Sequence, residues 1–235
     1  MIRAGEDSSA HLRAQAAEML ANAVHRGGDV IISSESCMVS CVGAFCMDRH
    51  APVIHDACAV LCAAAKRDAW GPSLELGFVV DCLGTRLFQL CCSLDGPQVR
   101  RTDDEELLVA KMFELAWRLM HHRRCGAFEM LCELEGHKCV LTAAISYIYD
   151  PRAQECRNLR HYRDGPVSEI HPSGLDCCLR MMEGMALYDA RRDSPRRLLR
   201  AADASRALRA THALTANEKI SCEVLVVTAS SRPKQ

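Results

Sequence analysis

The sequence lacks long apolar runs, and no stretch of uncharged residues reaches the roughly 18 that a membrane-spanning helix requires. The apolar core of a secretory signal is also missing, because Glu6 and Asp7 lie within the first ten residues. We therefore expect no membrane association and an intracellular location, with the cytoplasm favoured.

The local signatures of several enzyme classes are missing as well. The sequence has no G-x-x-x-x-G-K-[ST] phosphate loop, no G-x-G-x-x-G loop, no G-x-S-x-G nucleophile elbow and no H-E-x-x-H zinc motif. The H-x-E…P-C-x-x-C pattern of zinc deaminases does not occur either. No residue is therefore assigned a catalytic role, and a non-catalytic function is favoured.

Cysteine is abundant, but the chain does not have the character of a disulfide scaffold. Its 15 cysteines are odd in number, too sparse for a small disulfide framework, and often placed inside apolar segments. We expect reduced thiols and no disulfide-linked partner.

Several segments have apolar residues at helical spacing. The helix after Thr102 is the best defined, because Thr102 and Glu105 have capping-box spacing, acidic residues fill its first turn and Gly126 follows its end. Helices are also predicted between Ser9 and Gly27 and between Pro52 and Gly71.

Two other segments are rich in apolar and β-branched residues and are each divided by a turn-like pair. Leu83–Gly84 divides residues 74–93, and Glu135–Gly136 divides residues 127–149, so each segment is predicted to form a β-hairpin. Two shorter runs are predicted to be buried strands: DVIISS at 29–34 and ISCEVLVVT at 220–228.

This order of elements predicts an α+β fold. Its mainly antiparallel sheet would contain the two hairpins, at about 74–93 and 127–149, and a C-terminal strand, with the helices packed on it. We predict a single domain over residues 1–235. It would include a long irregular basic loop at 150–172 and a C-terminal helical pair at 173–213.

Charge is distributed unevenly along the chain. Residues 1–117 contain 10 Lys/Arg against 16 Asp/Glu, whereas residues 118–235 contain 19 against 14. A basic half is suited to an acidic protein surface or to nucleic acid. The arginines predicted to contact a partner lie in the loop and in the last helices: Arg152, Arg157, Arg160, Arg163, Arg191, Arg192, Arg196, Arg197 and Arg200.

Most arginines of this kind form a solvated surface; if the region binds a partner, its composition favours a protein over RNA. The planar guanidinium of arginine binds carboxylates and phosphates equally well, so charge alone leaves both partners open. Readers of single-stranded nucleic acid also stack bases on aromatic side chains, and Tyr162 is the single aromatic residue of the loop.

Residues 37–62 contain five cysteines and two histidines. A zinc site built from one helix and the preceding loop is geometrically possible, although no C-x₂-C knuckle occurs in the chain. Cysteines at helical spacing are also typical of a buried helix face, where a thiol packs as a small apolar group, and this interpretation is favoured. The candidate ligands for zinc are Cys46, His50, His55, Cys58 and Cys62.

Taken together, these patterns predict a non-catalytic subunit or adaptor that docks on a protein partner through its basic C-terminal loop and helix. An RNA-associated protein using the same arginines is one alternative. A zinc- or thiol-dependent protein centred on residues 37–62 is the other.

Overall fold

A computed structural model describes residues 9–27, 29–67, 76–92, 101–121, 127–135, 138–148, 150 and 174–191. These ranges contain nine α-helices and no β-strand. The helices are α1 (Ala10–His25), α2 (Asp29–Ser33), α3 (Glu35–Met47), α4 (Ala51–Lys66), α5 (Leu76–Cys91), α6 (Asp103–His121), α7 (Ala127–Glu133), α8 (Val140–Ile148) and α9 (Gly174–Arg191).

The prediction of an α+β fold is therefore wrong for the described residues. The segment predicted as the first hairpin forms one continuous helix, α5. Short apolar runs rich in valine fit a strand or a buried helix equally well, and here tertiary burial selects the helix. The buried side chains of α5 recur at helical spacing: Leu76, Val79, Val80, Leu83, Leu87 and Cys91.

The other segments predicted to be strands also form helices where the structure describes them. The segment of the second hairpin forms two helices, α7 and α8, and most of DVIISS forms the short helix α2. In α8 the apolar residues cover one helical face: Val140, Leu141, Ala143, Ala144, Tyr147 and Ile148 are buried. The predicted C-terminal strand, most of the loop at 150–172 and the second member of the helical pair lie outside the described residues.

The helices predicted from end signals are confirmed. In α6, the side chain of Glu105 accepts a hydrogen bond from the backbone N–H of Thr102, and the Thr102 hydroxyl accepts one from the N–H of Glu105. This is the reciprocal capping box that the sequence predicts. Pro52 lies in the first turn of α4, and Gly27 follows the end of α1 with a φ of 93°.

Helix α6 is the central element of the packing. Helices α4, α5, α7 and α9 all pack against it, and α4 in turn packs against α1 and α3. Phe113, Leu115 and Leu119 of α6 are fully buried in one continuous apolar cluster. Within the described ranges, no helix combines the length and the apolar character needed to cross a bilayer.

One buried arginine joins α5 to α6. The side chain of Arg101 is 1% exposed, and its Nε donates to Glu106 at 2.7 Å. The same guanidinium donates to the carbonyl of Leu90, at the end of α5, and to the carboxylate of Asp150. The charge is therefore compensated by two carboxylates, as a buried cation requires.

Helix α5 approaches the connection between α7 and α8 at Gly84. A Cβ atom at this position would lie 2.5 Å from the carbonyl oxygen of Lys138 and 2.8 Å from a side-chain carbon of Leu134. Gly84, which the sequence pattern places in a turn, thus lies inside α5, at the point where this helix comes closest to Lys138 and Leu134. Lys138 is fixed at the same crossing by an ion pair with Asp81, one turn earlier in α5.

We expect Gly84→Ala to lower the free energy of unfolding by about 1–3 kcal/mol, because a backbone carbonyl would have to move. Gly43→Ala, in the interior of α3 with open space around its Cα, is the matched control. This control should raise the free energy by about 0.5–1 kcal/mol through reduced backbone entropy of the unfolded chain. Urea denaturation of both variants measures the contrast, and a stabilising effect of Gly84→Ala would show that the close approach is absent.

Candidate functional site

An open groove of about 470 Å³ runs between the end of α3 and one face of α5. It is lined by Cys46, Met47, Asp48 and Arg49 at the end of α3, by Phe78, Asp81, Cys82, Thr85, Arg86 and Gln89 on α5, and by Lys138 before α8. The α5 residues follow the 3–4 spacing of one helical face. This face lies beside the face that α5 buries in the core.

Arg86 closes the end of α3. The last carbonyls of a helix have no partner within it. Arg86 Nη2 donates to the carbonyl oxygen of Cys46 at 2.9 Å and to that of Asp48 at 2.7 Å. Because Arg86 belongs to α5, these two bonds hold the end of α3 against α5 and define one side of the groove.

Asp48 joins the same turn to α1. Its carboxylate accepts hydrogen bonds from Arg13 Nε at 2.6 Å and Arg13 Nη2 at 3.3 Å. It also accepts bonds from the backbone N–H groups of Arg49 at 2.8 Å and His50 at 2.9 Å. The Asp48 side chain is 7% exposed, so its carboxylate is largely shielded from water. The backbone at 48–50 is thereby fixed at the point where α4 begins.

The surroundings of Asp48 favour its ionised form. Burial alone would raise the pKa of the carboxyl, but the hydrogen bonds from Arg13 and from the amide of His50 lower the pKa below its ordinary value. Because the pKa of Asp48 is lower in the folded state, the ionised carboxylate stabilises the fold at any pH above the pKa of the unfolded state, which is about 3.9. This stabilisation is lost as the pH falls through the pKa of Asp48 in the folded state.

Apolar side chains are exposed at the mouth of the groove. Met47 is 73% exposed and Phe78 is 45% exposed, although both are large and apolar. Single exposed apolar residues are ordinary, but two that line one groove form an apolar contact surface. Met47 adds a flexible thioether that adapts to different partner shapes.

The groove carries an excess of positive charge. Arg49, Arg86 and Lys138 line it against the carboxylates of Asp48 and Asp81. Arg13, which is outside the lining, already neutralises Asp48. The Lys138–Asp81 pair, at 2.7 Å, is 34% and 48% exposed and remains open to solvent.

Two thiols from different helices meet in the groove. Cys46 of α3 and Cys82 of α5 both line it, and the Cys82 thiol is close enough to act on the pKa of Cys46. Burial, with the Cys82 thiol as the next cause, raises the pKa of Cys46 to about 12, against the opposing charge of Arg86. Cys46 is therefore a protonated thiol near neutral pH and does not act as a resting nucleophile.

The predicted zinc ligands are not brought together. Cys58 and Cys62 are buried, and both thiols donate to the carbonyl of Lys111, at 3.5 and 3.8 Å. His55 Nδ1 lies 2.9 Å from an oxygen of Asp56, and His50 is exposed at the start of α4. In the described part of the chain, no group of three or more His, Cys, Asp or Glu residues could hold a metal ion.

The predicted basic surface cannot be placed. Eight of its nine arginines lie outside the described residues, and Arg191 is described only as the last residue of α9. The described groove was missed by sequence reasoning because 74–93 was assigned to a hairpin. A helical assignment would have placed Phe78, Cys82 and Arg86 on one face, which is the signal that was available.

Comparison with known proteins leaves the family open. No protein-family profile matches the sequence, and no curated protein matches it. A solved structure of computationally designed armadillo repeat proteins for modular peptide recognition aligns with 97% of this chain and 97% of its own, at 13% identity and a TM-score of 0.37. A TM-score this low does not establish a shared fold, so nothing about that protein is carried over.

The low pKa of Asp48 gives a testable dependence of stability on pH. We expect Asp48→Asn to lower the free energy of unfolding by about 1–3 kcal/mol at pH 7, because charged hydrogen bonds are lost. The difference from the wild type should shrink below about pH 4, as the wild-type carboxyl becomes protonated. Urea denaturation of the wild type and the variant at a series of pH values from 7 downward measures this difference in the free energy of unfolding.

Asp81→Asn is the control for this experiment. Its half-exposed ion pair with Lys138 is screened by solvent, so we expect a change below about 1 kcal/mol at pH 7. A loss on Asp48→Asn that stays the same at every pH would contradict the role assigned to the ionised carboxylate.

Proposed function

We propose that the protein is a non-catalytic interaction subunit or adaptor, and that its groove binds a segment of a partner protein with an apolar anchor flanked by acidic residues. The observation that carries this proposal is that exposed Met47 and Phe78 line a groove in which three cationic side chains face two carboxylates, one of them already bound by Arg13.

The apolar part of the groove supplies affinity. Burying Phe78 and Met47 under a partner side chain removes apolar surface from water, which contributes roughly 25 cal/mol for each Å². Aromatic residues in such positions carry a large share of binding energy in protein interfaces. Thr85 and Gln89 lie beside them and offer hydrogen-bonding groups to a partner backbone.

The charged part of the groove selects the partner. Arg49 is exposed, and the ion pair that Lys138 forms with Asp81 is open to solvent, so both cations are accessible to an incoming ligand. An acidic segment would gain attraction from both and would associate faster at low salt. The arginines at 152–163 and 191–209 belong to the same proposal, because their charge has the same sign.

The groove is also preformed. The bonds from Arg86 and Arg13 fix the turn at 46–50 before any partner arrives. A rigid site loses less conformational entropy on binding than a mobile one. An RNA ligand is less suited to this groove, since Phe78 is the single aromatic side chain among the lining residues.

The test is to pan a library of random displayed peptides against the full chain and to measure the enriched sequences by fluorescence anisotropy. We expect enriched peptides to combine an apolar residue with Asp or Glu. Phe78→Ala combined with Met47→Ala should weaken binding by about 30-fold, corresponding to about 2 kcal/mol. Replacement of the peptide acids by amides, or added salt, should weaken it further.

Val39→Ala combined with Met130→Ala is the matched control, because both residues are exposed and apolar but lie outside the groove lining. This variant should bind as the wild type does. Equal losses in the two double variants, or enrichment of basic peptides, would contradict the proposal.

A further inference from the structure

We propose that Cys46 and Cys82 form an oxidisable dithiol in the groove, which hydrogen peroxide converts into a disulfide between α3 and α5. The two residues are 36 positions apart in sequence and belong to different helices, yet they share one surface.

A side-chain to backbone contact holds Cys46 beside the face of α5 that carries Cys82. Arg86 follows Cys82 by one helical turn, so the two side chains lie on the same face of α5. The guanidinium of Arg86 donates to the carbonyl of Cys46 itself, at 2.9 Å. Cys46 is therefore held against the part of α5 that carries Cys82.

Exposure decides which of the two thiols reacts first. Cys82 is half-buried and open to the groove, whereas Cys46 is 8% exposed. We therefore assign Cys82 as the thiol that peroxide oxidises first and Cys46 as the resolving thiol.

The reaction proceeds in two balanced steps. In the first, the Cys82 thiolate attacks one peroxide oxygen, the O–O bond breaks and the released hydroxide takes a proton to become water, which leaves a sulfenic acid on Cys82. In the second, the sulfur of Cys46 attacks that of Cys82, the S–O bond breaks and a second water leaves with the proton of Cys46. Two thiols are oxidised and one peroxide is reduced to two waters.

The Cys58–Cys62 pair lacks this combination. Cys58 and Cys62 are buried on one helix, and both are engaged by the carbonyl of Lys111. Cys92 is paired with the hydroxyl of Ser146. The twelve cysteines in these ranges are free thiols, so the reduced form is the one described.

The cross-link would also regulate the groove. A disulfide between α3 and α5 would draw the two sides of the groove together next to Met47 and would reduce the space for a ligand. This consequence rests on the proposed function, whereas formation of the cross-link does not.

The test uses the full chain with all its cysteines. The protein is treated with hydrogen peroxide, free thiols are alkylated, and the protein is digested with trypsin without reductant. We expect tandem mass spectrometry to find peptides 27–49 and 68–86 joined through Cys46 and Cys82, two hydrogens lighter than their sum. Dithiothreitol should separate them.

Cys46→Ala should abolish the cross-link and leave a sulfenic acid on Cys82 that dimedone labels. Cys37→Ala, in α3 but outside the groove lining, is the control and should leave the cross-link intact. Thermal unfolding checks that both variants are folded, and Cys46→Ser is the second variant if the alanine variant is not. Oxidation of other cysteines while Cys46 and Cys82 stay alkylated, or a link from Cys82 to Cys37 or Cys41, would overturn the proposal.

The regulatory consequence is tested with a peptide from the panning experiment. We expect the cross-linked protein to bind it at least tenfold more weakly than the reduced protein. Equal binding by both forms would overturn the regulatory part alone. Failure of the reduced protein to bind any peptide would instead contradict the proposed function and leave the cross-link standing.

Discussion

The hydrogen bonds from Arg86 to the carbonyls of Cys46 and Asp48 are the interaction on which the site depends. They cap α3 with a side chain from α5, so the end of one helix is fixed on the face of another. The same turn orients Asp48 toward Arg13 of α1 and leads directly into α4. The turn at residues 46–50 therefore connects α1, α3 and α5 and also positions the start of α4.

This arrangement explains why the groove combines exposed apolar groups with positive charge. The apolar faces of α5 and α6 are used in the core, so the second face of α5 is left to line the groove. Asp48, one of the two groove carboxylates, already forms an ion pair with Arg13. What remains for a ligand is the apolar surface of Met47 and Phe78 beside cations, together with two adjacent thiols.

The sequence predicts those parts of the fold whose signals are local. The capping box at Thr102 and the proline at the start of α4 define helices that the structure contains. The apolar segment of α5 is predicted wrongly as a hairpin, because periodicity in a short apolar run does not separate a buried helix from a strand. Gly84 was read as a turn, although its role is a close approach to Lys138. The complete groove could not be predicted, since it joins three segments that are distant in sequence: residues 46–49, residues 78–89 and Lys138.

The most direct test of this account is hydrogen exchange at the backbone amides of Asp48, Arg49 and His50 in Arg86→Met, which keeps the bulk and removes the donors. We predict that exchange at these three amides accelerates at least tenfold, corresponding to about 1.4 kcal/mol of local stability, while amides in α9 keep their wild-type rates. Unchanged protection at 48–50, or equal acceleration in every helix, would contradict the role assigned to Arg86.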